Sequence, residues 1–131
     1  MTDGTNHLEQ GLAAFKAGDF QGAIDELEVA TREEQDNYRA FNYLGAAYAG
    51  KGKYNAAIGA FKSAEQINPN VASIHYNLGQ AYEAAGVPAE AQYEYEFALR
   101  LDAGYTRAEG ALAALKTRYH HHTEQPEPGS V

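Results

Sequence analysis

A glycine recurs at a constant step of 34 residues inside stretches that otherwise suit a helix: Gly11, Gly45 and Gly79. The same step links Gly18, Gly52 and Gly86, then Ala23, Ala57 and Ala91, then Ala30, Ala64 and Ala98, and carries Phe20 to Tyr54 and Phe61 to Tyr95. A period in this range means stacked units, because one unit of that size cannot bury its own apolar face and must lean on the next. Three units follow without insertion, 4–37, 38–71 and 72–105. A mid-helix glycine costs roughly 1 kcal/mol relative to alanine, so its recurrence predicts a place where a neighbouring helix comes close.

Each unit reads as two helices. In the middle one, Phe41, Leu44, Ala47 and Tyr48 fall at helical spacing, "GKGKY" interrupts, and Ala57, Ile58, Phe61 and Ala64 begin a second stripe. "NPN" at 68–70 ends it, since proline removes a donor and disfavours helix in the residue before it. Pro88 opens the second helix of the third unit, where its missing N–H is harmless. Beyond residue 105, Ala108, Leu112, Leu115 and Tyr119 make one apolar stripe, while Arg107, Glu109, Lys116 and Arg118 occupy the other face. A helix over 106–119 is therefore expected to cap the stack. Residues 120–131, with Pro126, Pro128 and Gly129 and no stripe, are expected to be a disordered tail or linker.

The period and its residues resemble the tetratricopeptide repeat, whose pattern is W-x2-L-G-x2-Y, then A-x3-F, then P. The middle unit supplies Phe41, Leu44, Gly45, Tyr48, Ala57, Phe61 and Pro69. The third supplies His75, Leu78, Gly79, Tyr82, Ala91 and Tyr95, with Ala103 in place of the proline. The first is degenerate, with His7, Gln10, Gly11 and Ala14, then Ala23 and Leu27, and Gln35 in place of the proline. The resemblance implies an all-α fold, a right-handed α-solenoid of three helix-turn-helix units with a seventh, capping helix. It also implies a concave groove lined by the first helix of each pair, in which members of this family hold peptides or partner segments. Fold alone does not name a function. The RNA-reading pentatricopeptide family has a similar period but would want a basic groove.

Composition removes several alternatives. A net charge of −8 and a pI near 5.0 have the wrong sign for a phosphate backbone, so no nucleic-acid partner is expected. The chain has no cysteine, which excludes thiolate metal sites and cysteine nucleophiles. No apolar run approaches a membrane span, and "MTDGTNHLEQ" has no signal-peptide character; a cytoplasmic protein is expected. No phosphate loop, serine elbow or H-E-x-x-H occurs, and the glutamates, Glu94 and Glu96 among them, read as solvated helix faces. An enzyme is not expected, nor a cofactor. His120, His121 and His122 cannot all point inward from one helix, so no defined metal site is expected from them. His7 and His75 stand at the tryptophan position of the pattern and read as packing residues.

The 10 tyrosines are the main oddity. Tyr48, Tyr54, Tyr82 and Tyr95 match core positions of the pattern, whereas Tyr43 and Tyr76 do not. The family resemblance places the groove at Leu12 and Phe15 in the first unit and at Arg39, Asn42 and Tyr43 in the second. It adds Tyr76, Asn77, Gln80 and Glu83 in the third, and Arg107 on the cap. Such a lining offers aromatic area and amides able to bond a peptide backbone. Family members that grip the acidic C-terminus of heat-shock chaperones use a clamp of lysine, asparagine and arginine. Its positions here hold Leu8, Leu12, Tyr43, Ser73 and Asn77, so that activity is not expected. The partner is thus expected to be a protein or peptide. Self-association into a scaffold is the alternative, motivated by the apolar Leu8, Leu12 and Phe15 and by Tyr93 and Phe97 four residues apart on one helix.

Overall fold

The computed structural model describes the backbone of residues 4–124 and the side chains of residues 6–119. Among the described residues seven helices follow in order: α1 Gly4–Lys16, α2 Phe20–Glu33, α3 Tyr38–Gly50, α4 Tyr54–Ile67, α5 Ala72–Ala84, α6 Pro88–Leu101 and α7 Thr106–Glu124. No strand occurs among the described residues. Local chemistry sets several boundaries. The Asp19 carboxylate accepts the Gly22 N–H at 2.9 Å at the start of α2, and the Asn37 side chain accepts the Arg39 N–H at 3.1 Å at the start of α3. Pro88 is the first residue of α6. Within each hairpin the turn passes through a left-handed glycine, Gly18, Gly52 or Gly86, with φ of +81°, +76° and +84°.

The helices pack as antiparallel pairs, α1 with α2, α3 with α4 and α5 with α6, and each second helix also packs on the first helix of the next pair. The first helices touch one another directly, α1 to α3 and α3 to α5. Between the second helices α2 and α4 the stack instead opens a gap of about 420 Å³, walled by Thr31, Phe41, Ser63 and Ile67. Close contact on one side and a gap on the other curve the stack, and they put α1, α3 and α5 on the inner face.

The recurring glycines mark the closest approach within each pair. A Cβ on Gly11 would stand 2.6 Å from Leu27 Cγ, and one on Gly45 would stand 2.5 Å from Phe61 Cε1. On Gly79 it would drive into the Tyr95 ring. Leu27, Phe61 and Tyr95 are buried, with exposures of 0, 2 and 0%. The large side chain of each second helix thus lies across the glycine of the first.

At the C-terminal end, Ala108 and Leu115 of α7 are buried, and Leu112 and Tyr119 pack beside Ala91 and Tyr95. Arg107, Glu109, Lys116 and Arg118 stay exposed, so α7 covers the end of the stack as its stripe predicts. Its helical backbone continues to Glu124, beyond the expected end at 119, and His120, His121 and His122 therefore fall on the helix. The tail reading for 125–131 lies outside the described residues.

One expectation about charge is corrected. Glu94 is not a solvated residue: it is only 8% exposed, because the neighbouring His75 ring, itself 1% exposed, bonds to it across the α5–α6 interface. His75 stacks on Phe97 with ring centroids 4.2 Å apart, so it does pack as expected, but both ring nitrogens are engaged as well. Burial acts to lower the His75 pKa, yet its bonds to Glu94 and the Pro69 carbonyl outweigh burial and hold it above the ordinary histidine value.

Two helical glycines separate propensity from packing. Gly59 in α4 has no atom within 4 Å of its would-be Cβ, so Gly59→Ala is expected to stabilise the protein by about 0.5–1 kcal/mol. Gly79→Ala should destabilise it by about 1–3 kcal/mol through overpacking against Tyr95, despite the better propensity. Urea unfolding of the two variants beside the parent checks both signs.

Candidate functional site

On the inner face, α3 and α5 run side by side with small residues between them. Ala46, Ala49, Ala81 and Ala84 floor a cleft of about 360 Å³, walled by Tyr54, Phe61, Tyr76, Asn77 and Gln80. Phe61 reaches this cleft because Gly45 has no side chain to stop it. Helix α5 presents Tyr76, Asn77, Gln80 and Ala84 at i, i+1, i+4 and i+8, which is one face.

Polar contacts hold the wall residues in place. Asn77 Nδ2 donates to Asn42 Oδ1 at 3.0 Å, joining α5 to α3. Gln80 Nε2 donates to the Tyr95 hydroxyl at 2.7 Å, and that hydroxyl donates to Glu83 Oε1 at 2.8 Å. Arg118 of α7 bonds the other Glu83 oxygen. Each amide bond uses one of the two N–H groups of its NH2, which leaves both amides further capacity toward the cleft. Tyr76 is propped from two sides, 6.0 Å from Tyr95 and 5.6 Å edge-on to Tyr105 between ring centroids.

The ten groove residues expected from sequence therefore divide. Tyr76, Asn77 and Gln80 line the cleft, and Asn42 supports it. Glu83 lies at a second hollow of about 300 Å³ shared with Gln80, Ala84 and Arg118. Phe15 and Tyr43 turn to each other, centroids 6.1 Å apart, and pack on the core formed with Leu27 and Leu44. They are not brought to the cleft. Leu12 is half-buried, and Arg39 and Arg107 are exposed at the first turns of α3 and α7, apart from the cleft wall. Two residues were missed. Tyr54 matches a core position but is 36% exposed and walls the cleft. Arg118 reads as part of the solvated cap face, and no short-range signal connects it to Glu83.

The same packing takes up three of the five apolar residues that motivated self-association, Leu8, Phe15 and Phe97. Leu8 and Phe15 pack on the first core cluster. Phe97 turns onto His75 and lies under the Arg100 guanidinium, 4.9 Å from its ring centroid, leaving Tyr93 alone outward at 56% exposure.

Buried hydroxyls follow from the way tyrosine rings cross between helices. Burial, then the bond to Glu28 at 2.5 Å, pushes the Tyr48 pKa up to about 12. Burial, then the bond to Glu83, pushes Tyr95 well above the ordinary tyrosine range. A folded pKa above the unfolded value of about 10 gives stability that is complete below pH ~10 and lost as pH rises through the folded value. The urea midpoint should thus fall between pH ~10 and ~12, and Tyr48→Phe and Tyr95→Phe should each flatten that fall. A tyrosinate absorbance titration should show the same late-ionising fraction shrink in each variant.

The TPR repeat family profile matches residues 49–86. Heat shock protein STI1 of Saccharomyces cerevisiae is 30% identical over 124 residues, covering 94% of this chain and 21% of that protein. Superkiller complex protein 3 of Mus musculus is 27% identical over 101 residues, 77% of this chain and 6% of that protein. This chain thus spans a small fraction of the length of these relatives. In shape it is similar to the first TPR of Spaghetti (RPAP3) bound to the HSP90 peptide SRMEEVD, with a TM-score of 0.87 at 22% identity over 90% of this chain and 94% of that one. That likeness is one of fold. Residues 49–86 thus match the TPR repeat family, and the chain as a whole has the fold of the tetratricopeptide-repeat structures it resembles.

Proposed function

We propose that this is a non-catalytic interaction module that holds an extended segment of a protein partner on its inner face, with an uncharged apolar side chain seated in the cleft between α3 and α5. The cleft itself carries the reading: an alanine floor, aromatic walls from Tyr54, Phe61 and Tyr76, and the amides of Asn77 and Gln80 at its edge. Its volume of about 360 Å³ suits one or two side chains and falls in the lower range of ligand-sized pockets. Rigid aromatic walls with a polar rim are the usual composition of an anchoring pocket.

The peptide in the Spaghetti structure, SRMEEVD, is acidic. The inner face here favours a different partner chemistry. Leu8 and Tyr43, which stand at two of the clamp positions named above, are packed against the first core cluster, and Glu83 already holds Arg118. None of the residues lining the cleft is charged. No helix among the described residues is long and apolar enough to cross a membrane, and the proposal takes the cytoplasm as the working compartment.

Selection from a random-peptide display library on the purified protein tests this directly. Selected sequences should share an aliphatic or aromatic anchor, and SRMEEVD should not compete with them. Ala84 is exposed at the cleft floor, so Ala84→Phe should fill the cleft while leaving helicity and the urea midpoint unchanged, and should weaken the selected peptides by roughly tenfold or more. Selection of acidic tails that SRMEEVD displaces, with affinity unchanged by Ala84→Phe, would overturn the reading.

A further inference from the structure

Away from the inner face, three metal-capable side chains from three helices meet between the second and third hairpins. Glu65 of α4, His75 of α5 and Glu94 of α6 each bring one ligand atom within 4.8 Å of the others. His75 Nδ1 lies 2.9 Å from Glu94 Oε1 and 3.7 Å from Glu65 Oε2. His75 Nε2 lies 2.8 Å from the Pro69 carbonyl oxygen.

The carbonyl settles the protonation of the ring. A carbonyl oxygen only accepts, so Nε2 carries the hydrogen. Nδ1 then faces two carboxylates, and a bare lone pair there would repel them. A proton or a metal ion has to stand at that spot. A divalent ion beside a neutral imidazole balances the two carboxylates. Geometry suits it. A tetrahedral ion with bonds of about 2.0–2.1 Å keeps its ligand atoms roughly 3.3 Å apart, and the two measured separations from Nδ1 bracket that spacing. The Pro69 carbonyl is the outer partner that orients a ligating imidazole, and Glu65, 33% exposed, leaves an entry path.

The repeat supplies an internal control. His7 and Glu26 stand 68 residues before His75 and Glu94 and form the same pair, with Nδ1 to Oε2 at 2.7 Å. There the further carboxylate, Glu33, lies 3.5 Å from Nε2, on the opposite edge of the ring. Its ligand atoms diverge, whereas those around His75 converge on one nitrogen.

We propose that Glu65, His75 and Glu94 form a site for a divalent transition-metal ion of the Zn2+ class, binding through His75 Nδ1 and one oxygen of each glutamate. One nitrogen and two carboxylate oxygens leave a fourth position for water. Mg2+ and Ca2+ prefer six or more oxygens and fit this set poorly. The ion would tie α4, α5 and α6 together across the junction of two repeats.

The test uses the full chain carrying His120→Ala, His121→Ala and His122→Ala, so that adjacent imidazoles contribute nothing. Zn2+ should bind this parent with one equivalent by calorimetry and raise its thermal midpoint, Mg2+ should do neither, and Co2+ should give a four-coordinate visible absorption band that Zn2+ removes. Glu65→Gln, at the half-exposed ligand, should keep the metal-free midpoint and weaken Zn2+ by roughly tenfold to a hundredfold or more. His7→Gln should leave Zn2+ binding unchanged. The proposal is overturned if the parent takes up no Zn2+, if Glu65→Gln binds it as tightly as the parent, or if His7→Gln abolishes uptake.

Discussion

The contact on which the structure depends is the one between a glycine in the first helix of each pair and a large side chain from the second. Leu27 lies over Gly11, Phe61 over Gly45 and Tyr95 over Gly79. Without a Cβ in the way, the two helices close until the leucine or ring is fully enclosed, and the burial of that side chain offsets the helix propensity lost at glycine. The same crossing builds the inner face. Phe61 passes beneath α3 to wall the cleft, and Tyr95 passes beneath α5 to set its hydroxyl between Gln80 and Glu83. Fold and candidate site thus share their side chains, and a substitution at Gly79 acts on both.

Three first helices of similar pattern do not make three equivalent stretches of groove. In the first hairpin the enclosed side chain is Leu27, shorter than a ring, and Phe15, Phe20 and Tyr43 gather around that end of the stack. Between the second and third hairpins the core is already filled by Phe61 and Tyr95, and alanines face each other across α3 and α5. Open volume remains there, and Tyr76 and the two amides border it. Because α7 covers the far end, Arg118 is drawn onto Glu83 and closes the rim on that side.

Polar groups inside the stack follow the repeat as well. A histidine at the tryptophan position of the pattern keeps the aromatic packing but brings two nitrogens that must be satisfied. At His7 and His75 the satisfaction comes from a glutamate nineteen residues on in the partner helix. At His75 the preceding hairpin adds Glu65 to the same side of the ring, whereas His7 stands on α1, with no hairpin before it among the described residues.

The sequence by itself determined the helices, their pairing, the three-unit register and the cap, because all of these follow from short-range periodicity and from glycines spaced at 34 residues. It also singled out Tyr76, Asn77 and Gln80, which share one face of α5. Only the tertiary structure decided which aromatics remain available. Phe15 and Tyr43 sit at groove positions yet find each other across α1 and α3, and Tyr54 sits at a core position yet is left half outside. Glu94 reads as a surface residue and becomes a buried one for the same reason. The face a side chain takes is written in its own helix, but whether that face is filled depends on the sizes of residues on the two or three helices packed against it.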